Sequence, residues 1–300
     1  MDSEMWRRGG RTFRYRGYEI FYRDEGAGPL LLCVHGFPSA SWDWHKLWPQ
    51  LTRRFRVVAA DMIGFGFSAK PRAYAYSLRD QAALHIALLS SLGLTRGHVL
   101  AHDYGDSVAQ ELLARATMDD PSTSAAAAPG AQSFQPLSVC FLNGGLFPEV
   151  HRARMVQTLL RSPLGPLLGR LANEASFSRS FAAVFGPQTQ PSADDLHAVW
   201  QLNAYNDGPR VAHRLIRYID ERRQQRARCV GALQTGRVPL RFINGPEDPV
   251  SGRHMAERYR ALVPNADVVL LEGIGHYPHL EAPQQVLEAF LAFATKLGEA

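Results

Sequence analysis

Residues 98–113 read HVLAHDYGDSVAQELL, and the fold turns on this stretch. His98–Ala101 is a short apolar run of the kind a strand buried on both faces shows. Ser107–Ala116 then takes helical spacing. Between the two, Ala101-His102-Asp103-Tyr104-Gly105 places an acidic side chain at a strand-to-helix turn, with a small residue two positions away on either side. A small–x–nucleophile–x–small sequence in that setting is a nucleophile elbow. The backbone there is too tight for bulk at the flanking positions, and the turn lifts the central side chain above the sheet. The N-terminus of the next helix aims its N–H groups and its dipole at the same point. The residue in the nucleophile's place is Asp103, where serine or cysteine is more usual.

Working outward, apolar runs bounded by turn signals alternate with amphipathic stretches. Tyr18–Arg23 alternates and ends in Asp24-Glu25-Gly26, which reads as an edge strand and a turn. Leu30–Val34, Val57–Ala60, Val139–Leu142, Leu240–Ile243 and Val268–Leu271 repeat the buried-strand pattern of His98–Ala101. Leu78–Leu92 and Gln284–Lys296 have helical spacing. Strand–helix alternation over 300 residues implies an α/β fold with a mostly parallel, doubly wound sheet. Two segments break the rhythm. Residues 119–136 (DDPSTSAAAAPGAQSFQP) are rich in Ala, Ser and Pro and read as a disordered surface loop. Residues 148–235 show helical patterns over Met155–Leu160, Leu164–Leu171, Phe177–Phe185 and Leu215–Ile219, with no clear strand. The expected organisation is a first part of the core over 1–147, a helical cap inserted over 148–235, and the rest of the core over 236–300.

Two further groups follow predicted strands. Ile243-Asn244-Gly245-Pro246-Glu247-Asp248-Pro249 leaves a strand and turns, which puts Asp248 at a strand's C-terminal edge. Gly273-Ile274-Gly275-His276 follows the last strand and puts His276 on a flexible loop. The chain order Asp103, Asp248, His276 is that of a nucleophile–acid–histidine triad on this kind of sheet. His35-Gly36-Phe37-Pro38 follows the Leu30–Val34 strand. The backbone N–H groups of Phe37 and Tyr104 are therefore the candidate oxyanion donors. His35 reads as a structural histidine and His102 as a buried one. Asp61–Ser68 reads as a turn shaping the pocket wall. Ser107 sits inside the helix rather than at its start, so Gly105-Asp106-Ser107-Val108-Ala109 is not a second elbow.

Composition narrows the classes. Hydrophobic residues make up 46% and charged residues 20% of the chain, which is globular rather than disordered. No run approaches the ~18 apolar residues of a membrane span. The N-terminal MDSEMWRRGGRTFRYRG has no apolar signal region, so the expected location is the cytoplasm. Cys33, Cys140 and Cys229 form no metal-ligand spacing, and no metal, cofactor or disulfide is expected. The net charge of +5 does not imply nucleic acid. Its basic residues are spread along the chain and almost all Arg, with Lys only at 46, 70 and 296. The one cluster, Arg222, Arg223, Arg226 and Arg228, reads as a solvated helix face, with contact to acidic lipid or to a partner as the rarer reading.

HGFP (35–38), DMIGFGFSAKP (61–71), HDYG (102–105), GPEDPV (245–250) and GIGHYPHLEAP (273–283) resemble the α/β-hydrolase superfamily, in its branch of epoxide hydrolases and haloalkane dehalogenases. HDYGDSVAQELL, NGGLFPEVHR, FSRSFAAVFGPQTQPS, NDGPRVAHRLIRYIDERR and VGAL carry a closer resemblance to the mesoderm-specific transcript protein family. It runs from about Trp6 to the last helix, cap included. The resemblance implies an eight-stranded sheet with a helical cap. Some members of that family carry a hydrophobic N-terminal segment; residues 1–17 do not resemble one, and no such anchor is expected from them.

Asp in the nucleophile's place has a chemical consequence. A carboxylate attacking an acyl carbon would give an anhydride, whereas attack at a saturated carbon bearing a leaving group gives an ordinary ester. His276, oriented by Asp248, would then activate water against that ester. The expected activity is epoxide hydrolase-like, on a hydrophobic small molecule, a lipid-derived one among the options, and water. The resemblance implies a cap tyrosine that protonates the departing oxygen, and Tyr218 and Tyr205 are the candidates. A haloalkane dehalogenase is the alternative. It needs side-chain N–H donors for the halide, which neither Tyr104 nor Phe37 supplies. Tyr104 also stands where haloacid dehalogenases of this fold place Arg. A non-catalytic ligand-binding homologue is the alternative of another class. Phe37, Trp42, Phe65, Phe67, Tyr104, Leu146, Phe147, Phe181 and Phe185 are the expected pocket wall.

Overall fold

The computed structural model describes residues 1–117 and 132–297. Arg11–Tyr15 (β1), Tyr18–Glu25 (β2), Leu30–Val34 (β3), Arg56–Ala60 (β4), Arg96–His102 (β5), Gln135–Leu142 (β6), Leu240–Asn244 (β7) and Asp267–Leu270 (β8) form one sheet in the order β1-β2-β4-β3-β5-β6-β7-β8. β2 runs antiparallel to both its neighbours, and β3 to β8 are parallel. The continuous apolar runs are explained by cover on both faces. Leu30, Leu32 and Val34 enter one core cluster while Leu31 and Cys33 enter the other. Val58 and Ala60 of β4 divide from Val57 and Ala59 in the same way.

Three sequence expectations change. Tyr18–Arg23 is not the edge strand, because β1 pairs outside it. The connecting Arg16 and Gly17 both have positive φ, +48° and +83°, the two-residue turn that matches strand twist in a hairpin. β1 was hidden by its composition: RTFRY offers little apolar alternation. Of the stretch 119–136, residues 119–131 lie outside the described residues, whereas Gln135 and Pro136 already belong to β6, opposite Arg96 and Gly97. Phe134 just before them is buried. Within 148–235, Leu215–Ile219 is not one helix: Ala212–Leu215 and Tyr218–Gln224 are separate. Ala193–Ala204 is a helix that the apolar pattern did not reveal, begun by the Ser192 side chain accepting from the Asp195 N–H. The last helix of the stretch, Arg226–Gln234, packs on the core helix Tyr104–Thr117. Arg228 Nε lies 2.7 Å from Glu111 Oε2, and Val230 and Leu233 join the core.

The arginine cluster is a solvated face only in part, with Arg223 exposed. Arg226 makes a bidentate pair with Glu149 at 2.8 and 2.6 Å. Arg222 is fully buried, with its guanidinium 5.1 Å from the centre of the Tyr218 ring. Its three nitrogens bond to no described residue. Room for it comes from Gly145, where a Cβ would lie 1.9 Å from Arg222 Nη1.

The chain passes from β3 to β4 on one side and on to β5 on the other, so the crevice beyond the C-terminal ends of β3 and β5 is a topological switch point, where ligands bind in sheets of this kind. The β5 turn is set by contact. Asp103 has φ +49°, and a Cβ on Gly105 would come 2.2 Å from the Val34 carbonyl oxygen. Gly105→Ala must push the Tyr104–Thr117 helix away from β3. Such overpacking is expected to cost about 2–3 kcal/mol, read as a lower urea midpoint in equilibrium unfolding. A midpoint equal to that of the unsubstituted protein would contradict this account of the elbow.

Candidate active site

Asp103 stands at the end of β5, buried, with each carboxylate oxygen engaged differently. Oδ2 accepts from the Phe37 N–H at 3.0 Å. Oδ1 accepts from the Tyr218 hydroxyl at 3.4 Å and lies 3.9 Å from His276 Nε2. His276 Nδ1 in turn sits 2.7 Å from Asp248 Oδ2. The three residues read from the sequence as a triad are therefore together, and Phe37 and Tyr218 join them. Tyr104 follows Asp103 directly and begins the helix; its ring packs against that of Tyr218, 4.7 Å between centres. Tyr205 is not brought in. Its hydroxyl accepts from Arg7 at 3.0 Å and its ring packs against Phe67, because the left-handed residues Asn206 and Asp207 turn the chain after it.

Asp248 is held by groups the sequence did not point to. Asn143, just past β6, donates to its Oδ2 at 3.0 Å. The Ser251 hydroxyl donates to the same oxygen at 2.6 Å, and the Val250 N–H to Oδ1 at 2.7 Å. Burial would raise the Asp248 pKa, but His276, the Ser251 hydroxyl and the Val250 N–H hold it below the ordinary carboxylate value. Burial would likewise lower His276. The charges of Asp248 and Asp103 more than offset that and raise it to about 9. Tyr218 is pushed up by burial and by the neighbouring Asp103 charge, so it is a protonated phenol at neutral pH.

The loop that carries His276 is not loose. Glu281 accepts from the Gly275 N–H at 2.8 Å and the Tyr277 N–H at 2.9 Å, one residue to either side. The His276 N–H donates to the Val184 carbonyl at 2.9 Å, and His102 Nε2 meets the His276 carbonyl at 2.8 Å. His102 is thus a buried brace. His35 is structural as well, with Nδ1 2.8 Å from the Gly36 carbonyl and Nε2 accepting from the Met62 N–H at 3.0 Å. Glu281 is the fifth residue after His276, and its carboxylate among unpaired loop amides is the signal a sequence reading could have used.

A cavity of about 720 Å³ opens above Asp103 and His276. Of the expected wall residues only Phe37 and Phe181 line it. Trp42, Phe65, Tyr104, Leu146, Phe147 and Phe185 are core, and Phe67 packs on Phe21 and Tyr205. The apolar wall comes instead from the cap and the His276 loop, with Leu159, Leu160, Leu168, Phe177, Val184 and Tyr277. No Trp lines the cavity among the described residues. The amide nitrogen of Asn203, which does, is given to the Pro38 carbonyl.

Residues 29–283 match the model of the alpha/beta hydrolase fold family. The chain is 43% identical over 299 residues to the mesoderm-specific transcript homolog protein of Homo sapiens, covering 96% of this chain and 86% of that one. It is 40% identical over 288 residues to the putative hydrolase LipZ of Mycobacterium tuberculosis, with 96% of each chain covered. Among solved structures, the epoxide hydrolase CorEH superposes with a TM-score of 0.75 at 19% identity, over 96% of this chain and 99% of that one. A haloalkane dehalogenase of Bradyrhizobium elkanii, DbeA, superposes with 0.78 at 20% identity, over 96% and 97%. At these identities the two structures speak for the fold alone. The sheet order, the elbow and the family match agree: this chain is a member of the α/β-hydrolase family, in the group that includes the mesoderm-specific transcript proteins.

Proposed function

We propose that the protein is a hydrolase acting at saturated carbon through a covalent ester on Asp103, with an epoxide as the substrate class and a diol as the product. One observation carries this reading: Asp103 Oδ1 faces a protonated phenol, Tyr218, and an imidazole, His276, while Oδ2 is held by a backbone N–H. Oδ1 is then the attacking oxygen. It forms a bond to the epoxide carbon, the carbon–oxygen bond of the ring breaks, and the departing alkoxide takes the Tyr218 proton. The phenolate regains a proton from the charged His276, which leaves a neutral imidazole beside the new ester. Esterification also removes the Asp103 charge, one of the groups that raise His276, so the histidine becomes a base at the step that needs one.

In the second half His276 takes a proton from water and the hydroxide attacks the Asp103 carbonyl carbon. The oxyanion forms on Oδ2, where the Phe37 N–H already points, with the Tyr104 N–H as the second donor. Collapse expels the diol oxygen, which takes the proton from His276. Asp103, now carboxylic acid, gives its own proton back to the imidazole. A halide leaving group fits less well, since neither Phe37 nor Tyr104 offers a side-chain N–H and the cavity wall contributes no Trp among the described residues.

His276→Gln incubated with styrene oxide and with stilbene oxide is expected to accumulate one adduct per chain, mapped by peptide mass spectrometry to Asp103. Absence of any adduct across terminal and internal epoxides would count against the reading, and halide release from a haloalkane by the wild type would redirect it. Tyr218→Phe is expected to slow ester formation about 10²-fold or more with little change in unfolding midpoint; an unchanged rate removes Tyr218 as the acid.

The His276 pKa also predicts a pH dependence of stability. A folded pKa of about 9 against an ordinary 6.5 means a contribution fully present below pH 6.5 and lost as pH rises through 9. It is of the order of 1–3 kcal/mol. Unfolding free energies of the wild type and His276→Gln should therefore converge between those pH values; parallel curves would contradict the ion-pair geometry.

A further inference from the structure

The cap helices Met155–Arg161 and Gly165–Leu171 leave their large apolar side chains in solvent. Met155 is 79% exposed, Leu171 65%, Leu164 55% and Leu167 52%, with Val156 and Leu159 exposed as well. Elsewhere among the described residues only Met1, Met5 and Tyr18 are exposed side chains of this size and kind. The two helices pack on each other, so these groups share one region of the surface, and a patch of that extent on a folded protein marks a contact surface. Met155, Val156, Leu159 and Leu171 also line the cavity above Asp103. The apolar exterior is thus continuous with the apolar interior.

The segment that carries the patch has an excess of positive charge, although Asp220 pairs with its Arg161. Residues 150–180 contain Arg152, Arg154, Arg161, Arg170 and Arg179 against a single acid, Glu174, whose Oε1 is 2.6 Å from His197 Nδ1. Arg152, Arg170 and Arg179 are exposed and belong to none of the ion pairs seen among the described residues. A second copy of the chain seated on this face by a two-fold axis would oppose arginine to arginine. A protein partner would stopper the cavity mouth. A surface of anionic lipid would instead match the charge and present hydrocarbon to the opening.

We propose that this face docks on an anionic lipid surface, with Met155, Leu167 and Leu171 at the acyl boundary and the arginines at headgroup phosphates. Helices with an apolar face and a basic surround bind membranes in this way. That the docked protein draws its substrate from the lipid phase rests on the proposed hydrolase reading; the docking itself does not.

Flotation of the full chain with vesicles tests it. Binding is expected with equal parts phosphatidylcholine and phosphatidylglycerol, about tenfold weaker with phosphatidylcholine alone, and weakened by salt. Met155→Ser/Leu167→Ser/Leu171→Ser should reduce it about tenfold, with circular dichroism and melting temperature unchanged because those side chains stand in solvent. Arg152→Glu/Arg170→Glu/Arg179→Glu should abolish the preference for phosphatidylglycerol. Asp103→Asn should float as the wild type does, which separates the docking from the chemistry. The proposal is overturned if no vesicle carries the protein or if the serine variant floats like the wild type. It is overturned equally if light scattering finds a wild-type dimer that the serine variant dissolves.

Discussion

The left-handed backbone of Asp103 is the constraint on which the site depends. A residue with a side chain adopts φ near +50° at a cost, smallest for Asn and Asp, and holds it where the surrounding structure fixes the turn. Here β5 is locked between β3 and β6, and the helix after it approaches β3 so closely that only glycine fits at position 105. The strand ends at His102 and the helix begins at Tyr104, so Asp103 alone makes the turn. The carboxylate is thereby raised to the level of the Phe37 N–H, which leaves β3 beside it. Neither a looser turn nor a larger residue at 105 would keep those two groups 3.0 Å apart.

Around that point the electrostatics are arranged in series. His276 lies between two carboxylates, Asp248 at 2.7 Å and Asp103 at 3.9 Å, and each does a different thing to it. Asp248 is fully engaged by Asn143, Ser251 and Val250 and keeps its charge throughout. Asp103 loses its charge when esterified under the proposed mechanism. The histidine's affinity for a proton is thus tied to the covalent state of the nucleophile, with no movement required. Fixing the imidazole is the task of Glu281 and His102, which take the loop's backbone groups on both sides.

Much of this was legible in the sequence because it is local. The elbow is five consecutive residues. Asp248 and His276 each follow an apolar run, and the buried strands announce themselves by continuous apolarity that the two core clusters account for. What was not legible depends on contacts between distant segments. Asn143 finds Asp248 across 105 positions, and Arg222 is buried because Gly145 leaves space for it; nothing beside either residue says so. β1 was missed because a short, half-exposed, arginine-rich strand needs only its hairpin turn and its partner. The cavity wall was misassigned for a related reason. Aromatics near the catalytic motifs suggest a lining, but residues beside a tight turn are mostly consumed in packing it, and the aliphatic residues of the cap cover the opening instead. Of the two cap tyrosines, Tyr218 was separable from Tyr205 only once the backbone turn at Asn206 and Asp207 was seen.

The central claim is that the hydrolytic water attacks Asp103 and not the substrate. A single turnover of excess wild-type protein with stilbene oxide in ¹⁸O-labelled water separates the two directly. The covalent route requires the label to appear in the Asp103 carboxylate, with the diol of that first turnover unlabelled. Labelled diol with an unlabelled Asp103 would mean that water attacks the epoxide itself, and would contradict the ester mechanism.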